Sequence, residues 1–160
     1  MLRSATFSPC RTFRYSLSRV WNPTHPSVMF IGLNPSTADD QEDDPTVRRC
    51  IGFGRNWKFG GLILVNLFAY RSTDPAHLLD AVDPIGPEND RQILENARAA
   101  ARIVLAWGTG GGFLDRDQHV LSLLRGGYCL GTTKNGHPKH PLYLAGNTRP
   151  RPFIRALDAA

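Results

Sequence analysis

The sequence predicts an α/β protein, a three-layer α/β/α sandwich built on a mostly parallel central sheet. Three short apolar runs, at residues 28–33, 62–67 and 102–107, have the length and composition of buried strands. Segments with helical spacing separate these runs, and strands that alternate with helices in this way are typical of parallel sheets. Neither an internal repeat nor a linker divides the 160 residues, so we expect a single domain over residues 1–160.

The first part of the chain predicts one further strand, an acidic loop and a helix. Apolar and polar residues alternate over residues 11–21, which is the pattern of a half-buried strand. Residues 37–44 are strongly acidic and are expected to form a mobile surface loop. Asp44 and Pro45 are typical of an N-cap and a first helical position, so a helix should begin there and end at Gly60 and Gly61.

The second part of the chain continues this alternation, and glycine and proline mark its boundaries. Its predicted elements are a short helix from Thr73 to about Ala81, a helix over residues 88–101, the strand at residues 102–107, a helix over residues 115–124 and a short strand over residues 128–130. Two basic segments, at residues 131–139 and 149–155, follow the last predicted strand.

The composition argues against a membrane-spanning or disulfide-stabilised protein. No apolar run approaches the roughly 20 residues of a membrane-spanning helix, and the first residues do not form an apolar signal segment. Cys10, Cys50 and Cys129 are odd in number and widely spaced, which predicts a reducing cytoplasm and gives no metal-binding pattern. The net charge of +5 favours polyanionic partners without identifying one. We expect a cytoplasmic monomer.

Polar side chains close three of the predicted strands. Asn34 follows the first apolar run, Asn66 ends the second, and His140 follows the last short strand. Ligands of open α/β sheets bind outside the carboxyl ends of the strands, so we expect these side chains to share a site. An asparagine amide offers a donor and an acceptor to the edge of a base, and a histidine can donate to a leaving group. Each residue alone also fits an ordinary turn, and His137 competes with His140 because both precede a proline.

Four motifs, in the same order and spacing, resemble those of the uracil-DNA glycosylase superfamily. They are Gly32-Leu33-Asn34-Pro35-Ser36 for its first motif, residues 61–66 for the strand whose last Asn reads the base, residues 103–108 for its Leu-Leu-Trp-Gly strand, and His140-Pro141-Leu142 with Arg149 for its histidine motif and minor-groove loop. More closely, residues 34–38 and 44–50 look like a bacterial and phage family of uncharacterised domains.

The resemblance implies a DNA base N-glycosylase that acts without a cofactor. Asn34 would position the attacking water, and His140 would stabilise the charge on the departing base. The implied base pocket consists of Gly32, Leu33, Pro35, Ser36 and Asn66. DNA, duplex or single-stranded, with a modified or mismatched base is the implied partner. The implied phosphate contacts are Lys134, Lys139, Arg149, Arg151 and Arg155. The resemblance also implies an aromatic platform for the base, for which Phe53, Trp57 and Phe59 are the candidates, while core packing of the helix favours a structural role for each of them.

Departures from the superfamily pattern leave other functions open. Ser36 stands where the superfamily has Gly or Tyr, and the following acidic run would repel a phosphate backbone. That run could instead supply catalytic carboxylates, or bind a divalent cation through Asp43 and Asp44. Asn34 cannot accept a proton as a carboxylate does, so a non-catalytic module that binds nucleobases, nucleotides or nucleic acids is the alternative. Hydrolysis of free nucleosides or nucleotides is a third possibility.

Overall fold

A computed structural model describes residues 1–154, which form a mixed sheet with helices on both faces. The strands are β1 (Leu2–Phe7), β2 (Arg14–Val20), β3 (Ser27–Gly32), β4 (Gly61–Asn66), β5 (Arg102–Leu105), β6 (Tyr128–Cys129) and β7 (Arg151–Pro152). The α-helices are α1 (Pro45–Asn56), α2 (Asn89–Ala99) and α3 (Arg116–Leu123), and two 3₁₀ segments cover Pro75–Leu79 and Gly108–Asp115.

The centre of the sheet is parallel, as the sequence predicts. The strand order is β1-β2-β4-β3-β5-β6-β7, and the four strands β4, β3, β5 and β6 run in the same direction. Antiparallel strands extend both sides: β1 and β2 beyond β4, and β7 beyond β6. Neither β1 nor β7 was predicted, and the first predicted strand begins at Arg14 instead of residue 11.

Two apolar clusters cover the two faces of the sheet and make three layers. The first joins α1, through Val47, Cys50 and Phe53, to side chains of the central strands such as Phe30. The second joins α2 and α3 to the opposite face of the same strands. Because both faces are covered, strands β3 and β4 are buried along almost their whole length.

The start of α1 confirms the predicted cap, and its end falls earlier than predicted. The Asp44 carboxylate accepts a hydrogen bond of 2.9 Å from the Val47 N–H, and Pro45 occupies the first turn. The helix ends at Asn56, not at Gly60, since Lys58 adopts a left-handed conformation with φ of 68°. The chain therefore turns toward β4 before the glycine pair is reached.

The acidic segment at residues 37–44 is fixed to the sheet. The buried Arg19 side chain donates to the Asp43 carboxylate at 2.8 Å and to the carbonyl oxygens of Asp39 and Glu42. Asp43 also forms an ion pair with Arg3 at 3.0 Å. The segment was expected to be a mobile surface loop, and these contacts correct that expectation.

Within residues 1–154, no helix is long and apolar enough to cross a membrane.

Candidate functional site

The strand order creates a crevice at the carboxyl edge of the sheet. The chain leaves β3 toward α1 on one face and leaves the neighbouring strand β5 toward α3 on the other face. Ligands of doubly wound sheets bind where the connections diverge in this way. A cavity of about 280 Å³ lies there, close to the lower limit of about 300 Å³ for pockets that hold small ligands. It brings together all three predicted strand-end residues, Asn34, Asn66 and His140.

Asn66 contributes a buried polar side chain to this cavity. Its side chain is 3% exposed, and its Nδ2 atom has no hydrogen-bond partner among the described residues. Its backbone carbonyl, in contrast, accepts a hydrogen bond of 3.0 Å from Asn89 Nδ2. A buried polar group without a partner costs about 1–3 kcal/mol. Since no protein hydrogen bond fixes the amide, it can turn either its oxygen or its nitrogen toward an occupant.

Gly32 leaves room for the Asn66 amide. A Cβ atom at position 32 would lie 2.7 Å from Asn66 Oδ1, well inside van der Waals contact. The two residues are paired directly across β3 and β4. A side chain at position 32 would therefore displace the amide. The need to leave this space explains the glycine in the first motif.

Asn34 is oriented by the loop that follows β4. Its Nδ2 atom donates to the carbonyl oxygens of Ser72, at 2.9 Å, and Pro35, at 3.1 Å. Two carbonyl acceptors assign the nitrogen of the amide, so the other terminal atom is its oxygen. Oδ1 makes no hydrogen bond with a described residue and can accept one from a ligand or a water. Asn34 thus presents an acceptor to the cavity.

Of the two candidate histidines, His140 lines the cavity and His137 does not. The Leu142 N–H donates to His140 Nδ1 at 3.2 Å, so the neutral ring carries its proton on Nε2. Loss of hydration where the ring meets the protein lowers the pKa of His140, and the Asp44 carboxylate acts in the opposite direction. The neutral ring with an Nε2–H donor is the favoured form at neutral pH.

Asp44 is the carboxylate of the cavity. Besides capping α1, it lines the same space as Asn34 and His140, and it is the one acidic residue among the described lining residues. Asp43 lies elsewhere, in its ion pairs with Arg3 and Arg19. The two carboxylates suggested for a cation site therefore have different protein partners, because Asp43 pairs with Arg3 and Arg19 while Asp44 caps α1. Within residues 1–154, no cluster of three or more His, Cys, Asp or Glu side chains could hold a metal ion.

Arg14 is a cavity residue that the sequence did not reveal. It begins β2, and the antiparallel pairing of β2 with β4 places it beside the carboxyl end of β4. Its side chain is 1% exposed and lines the cavity. Within the alternating pattern of residues 11–21, Arg14 lies among the polar positions that a half-buried strand exposes to solvent. It is buried because the acidic segment folds over it, and Ala38 accepts its Nη1 hydrogen bond at 2.9 Å.

The remaining predicted pocket residues fall into two groups. Leu33 and Ser36 line the cavity, while Pro35 is buried behind it and accepts the Ser72 N–H at 2.9 Å. None of the three candidates for the aromatic platform lines the cavity, and they pack in the core, which is the other interpretation that the sequence allows. Phe53 and Trp57 stack within the core at 5.3 Å, and Phe59 packs beside them. The aromatic rings that line the cavity are those of Phe30 and Trp107.

The predicted phosphate contacts are spread over the surface. Lys139 directly precedes His140 in sequence. Its side chain and that of Arg151 both have atoms within 4 Å of the position that a Cβ atom would occupy at Gly131. Lys134 is exposed in the preceding loop. Arg149 lines a groove that it shares with Arg55 and Lys58. Arg155 lies outside the described residues.

The comparisons with known proteins identify a family but no characterised relative. Residues 14–142 match the family described as "Protein of unknown function (DUF1643)". Neither the curated proteins nor the solved structures include a match to the chain. The matched segment runs from Arg14 to Leu142, the first and last residues that line the cavity. It covers most of the chain, which therefore belongs to the DUF1643 family of proteins of unknown function.

Proposed function

We propose that this chain is a DNA base N-glycosylase, similar in fold and chemistry to the uracil-DNA glycosylase superfamily that its motifs resemble. The observation that carries the proposal is the Asn66 amide, buried on the cavity wall without a hydrogen bond from the protein. A base edge supplies both the acceptor and the donor that such an amide lacks. Asn34, Asp44 and His140 line the same cavity and provide the groups that hydrolysis needs.

The cavity suits one flipped base. Phe30 and Trp107 contribute aromatic surface, and Leu33, Leu64 and Leu142 contribute apolar surface. A base that leaves the helical stack loses a few kcal/mol of stacking and pairing. Contact with these side chains and with the Asn66 amide offsets that loss. The space that Gly32 leaves beside the Asn66 amide supports a position of the base edge at this amide.

The chemical step is displacement of the base by water at the sugar C1′ atom. The Asn34 Oδ1 acceptor orients the water, and the Asp44 carboxylate takes its proton as the new C1′–O bond forms. The C1′–N bond breaks and its electron pair leaves with the base. His140 Nε2–H donates a hydrogen bond to the oxygen on which that charge develops. An amide at position 34 cannot be the base, so the proton acceptor comes from the start of α1.

The test is mass spectrometry of free bases released from duplex and single-stranded oligonucleotides that carry uracil, hypoxanthine, xanthine and common modified bases. We expect release by the unaltered protein, and loss of about 10²-fold or more in rate in Asn66→Ala and Asp44→Asn. His140→Ala should lose a similar factor, while His137→Ala, the matched histidine outside the cavity, should retain the full rate. Release that is unchanged in Asn66→Ala and Asn34→Ala would refute the proposal.

A second candidate is a non-catalytic base-binding or nucleotide-binding module. It is favoured by the use of Asn34 Nδ2 to bind the Ser72 carbonyl, a contact that holds the loop as much as it prepares a reaction. A ligand that binds only the folded state raises its melting temperature. A nucleobase or nucleotide that raises the melting temperature while no substrate yields a free base would select this module over the enzyme.

A further inference from the structure

Three arginine side chains of the described structure are almost fully buried, and one of them lacks an anionic partner. Arg19 forms an ion pair with Asp43, and Arg116 forms one with Asp90, both at 2.8 Å. Arg14 has no carboxylate oxygen within 4.0 Å among the described residues. Among residues 1–154, only its Nη1 atom is hydrogen-bonded, and its Nε atom is buried without a partner there. A buried charge of this kind is costly unless an anion reaches it.

The cavity gives an anion access to Arg14. The side chain lines the cavity at the end of β4, and Ser72 and Thr73 line the same cavity. Burial lowers the pKa of Arg14 to about 10, and the Asp44 carboxylate partly opposes this effect. The guanidinium therefore remains charged at neutral pH, and its planar fork can bind two oxygens of a phosphate.

The amino end of α1 faces the same cavity. Thr46, in the first turn, lines the cavity, and its N–H makes no hydrogen bond within the described residues. The N-terminus of a 12-residue helix carries partial positive charge and binds anions. Asp44 adds a negative charge there, but its Oδ1 atom is bound to the Val47 N–H. The Ser36 hydroxyl also lines the cavity and makes no side-chain hydrogen bond with a described residue.

We propose that this part of the cavity is a phosphate subsite, in which Arg14 and the first turn of α1 hold the phosphate of a nucleotide whose base reaches Asn66. The inference rests on the proposed function, because it takes the base at Asn66 from it. The phosphate belongs either to a free nucleoside monophosphate or to the backbone of a nucleic-acid chain. The recognition chemistry is the same for both sources.

The first experiment uses inorganic phosphate as the probe, because the preferred base is not needed for it. Phosphate at millimolar concentration should raise the melting temperature of the unaltered protein, compared with chloride at equal ionic strength. Arg14→Met should lose this increase. Arg98→Met, which removes the same charge from an exposed position in α2, should keep it. An increase that persists in Arg14→Met would overturn the proposal.

The second experiment measures nucleotide affinity by calorimetry and needs no altered protein. Deoxyuridine and deoxyinosine 5′-monophosphates should bind at least tenfold more tightly than the corresponding nucleosides. Inorganic phosphate should compete with the monophosphates and not with the nucleosides. This comparison keeps the proposal testable if Arg14→Met does not fold. Equal affinities for nucleosides and their monophosphates would overturn it.

Base release separates this inference from the proposed function. Release from oligonucleotides without any phosphate-dependent binding would refute the subsite and leave the glycosylase. Phosphate-dependent binding without release would support the subsite and refute the glycosylase. If both occur, the Arg14→Met variant decides the source of the phosphate. Loss of base release from oligonucleotides in this variant assigns the phosphate to the nucleic-acid backbone. Retained release, with weakened monophosphate binding, assigns it to a free nucleotide.

Discussion

Replacing Asn66 by leucine should stabilise the protein and abolish ligand binding. The buried Nδ2 atom has no partner in the described structure, and such a group costs the folded state about 1–3 kcal/mol. Leucine has a similar size and shape but no polar atoms. After some loss to imperfect packing, we expect the free energy of unfolding to rise by about 1 kcal/mol, which corresponds to about 2–4 °C in melting temperature for a chain of this size.

Asn89 provides the matched control, because it is also buried and its Nδ2 atom is hydrogen-bonded, although its Oδ1 atom has no partner among the described residues. Its Nδ2 atom donates to the carbonyl oxygens of Asn66 and Leu67, both at 3.0 Å. Asn89→Leu removes two hydrogen bonds worth about 0.5–1.5 kcal/mol each. Because it also removes an unpartnered Oδ1 atom, it should lower the free energy of unfolding by at most about 3 kcal/mol. The same substitution at neighbouring buried positions is expected to have opposite signs.

The assay is urea unfolding of both variants, followed by circular dichroism, with the slope of the transition checked for constancy. Ligand-dependent changes in melting temperature are measured on the same samples. The reasoning fails if Asn66→Leu is destabilised as much as Asn89→Leu. That result would mean that the Asn66 amide is already satisfied within the folded protein and is not held ready for an occupant.

Four further predictions follow from single features of the structure. Gly32→Ala should remove ligand binding with a change in stability below about 1 kcal/mol, because the new Cβ atom would lie 2.7 Å from Asn66 Oδ1. Gly52→Ala is the control and should leave binding intact, because nothing lies within 4 Å of the Cβ atom that it adds. Because loss of hydration lowers the pKa of His140, its ring should titrate below the ordinary value in an NMR titration, and the protein should lose stability as pH falls through the ordinary histidine pKa; a normal or raised midpoint would contradict this loss of hydration where the ring meets the protein. Hydrogen bonds between the exposed Cys10 thiol and the Thr12 and Ser8 side chains lower the pKa of that thiol to about 7, so iodoacetamide at neutral pH should alkylate Cys10 in the native protein, with Cys10→Ser as the control, and leave the buried Cys50 and Cys129 intact. The double variant Lys139→Ala, Arg151→Ala should reduce the salt dependence of duplex DNA binding, measured as the slope of log K against log salt concentration, by about 1.8. The control is the double variant Arg98→Ala, Arg125→Ala, which removes the same charge from exposed positions in α2 and after α3. An equal reduction in this control would show that only net charge matters.

The parts of the fold that local sequence determines were predicted, and the parts that depend on distant contacts were not. The three apolar runs and the Asp44 cap are local signals, and each appears as expected in β3, β4, β5 and α1. β1 was missed because its residues are mostly exposed and its position is determined by pairing with β2. β7 has two residues and forms only by pairing with β6.

The same distinction explains the candidate site. Asn34, Asn66 and His140 were expected together because parallel strands end at one edge of the sheet, and all three line the cavity. Asp44 was predicted as a cap, and its second role arises because α1 begins at that edge. Arg14 could not be found locally, since its burial depends on the contact of residue 38, 24 residues away, with its guanidinium. Phe53 and Trp57 were candidates for the platform because spacing alone does not say that they stack in the core.

At the end of β4, the backbone is held by hydrogen bonds while the Asn66 side chain has none within the described residues. The first residues of two helices on the far face bind its backbone: Asn89 donates to the carbonyls of Asn66 and Leu67, and Arg116 donates to that of Leu67 at 2.9 Å. The backbone at Asn66 is therefore held by α2 and α3, while its side chain projects to the cavity with no bond of its own. If the amide served the fold, a leucine there would do as well and the glycine opposite would be unnecessary. A rigid strand end that carries an unsatisfied amide is better explained by a ligand that completes it.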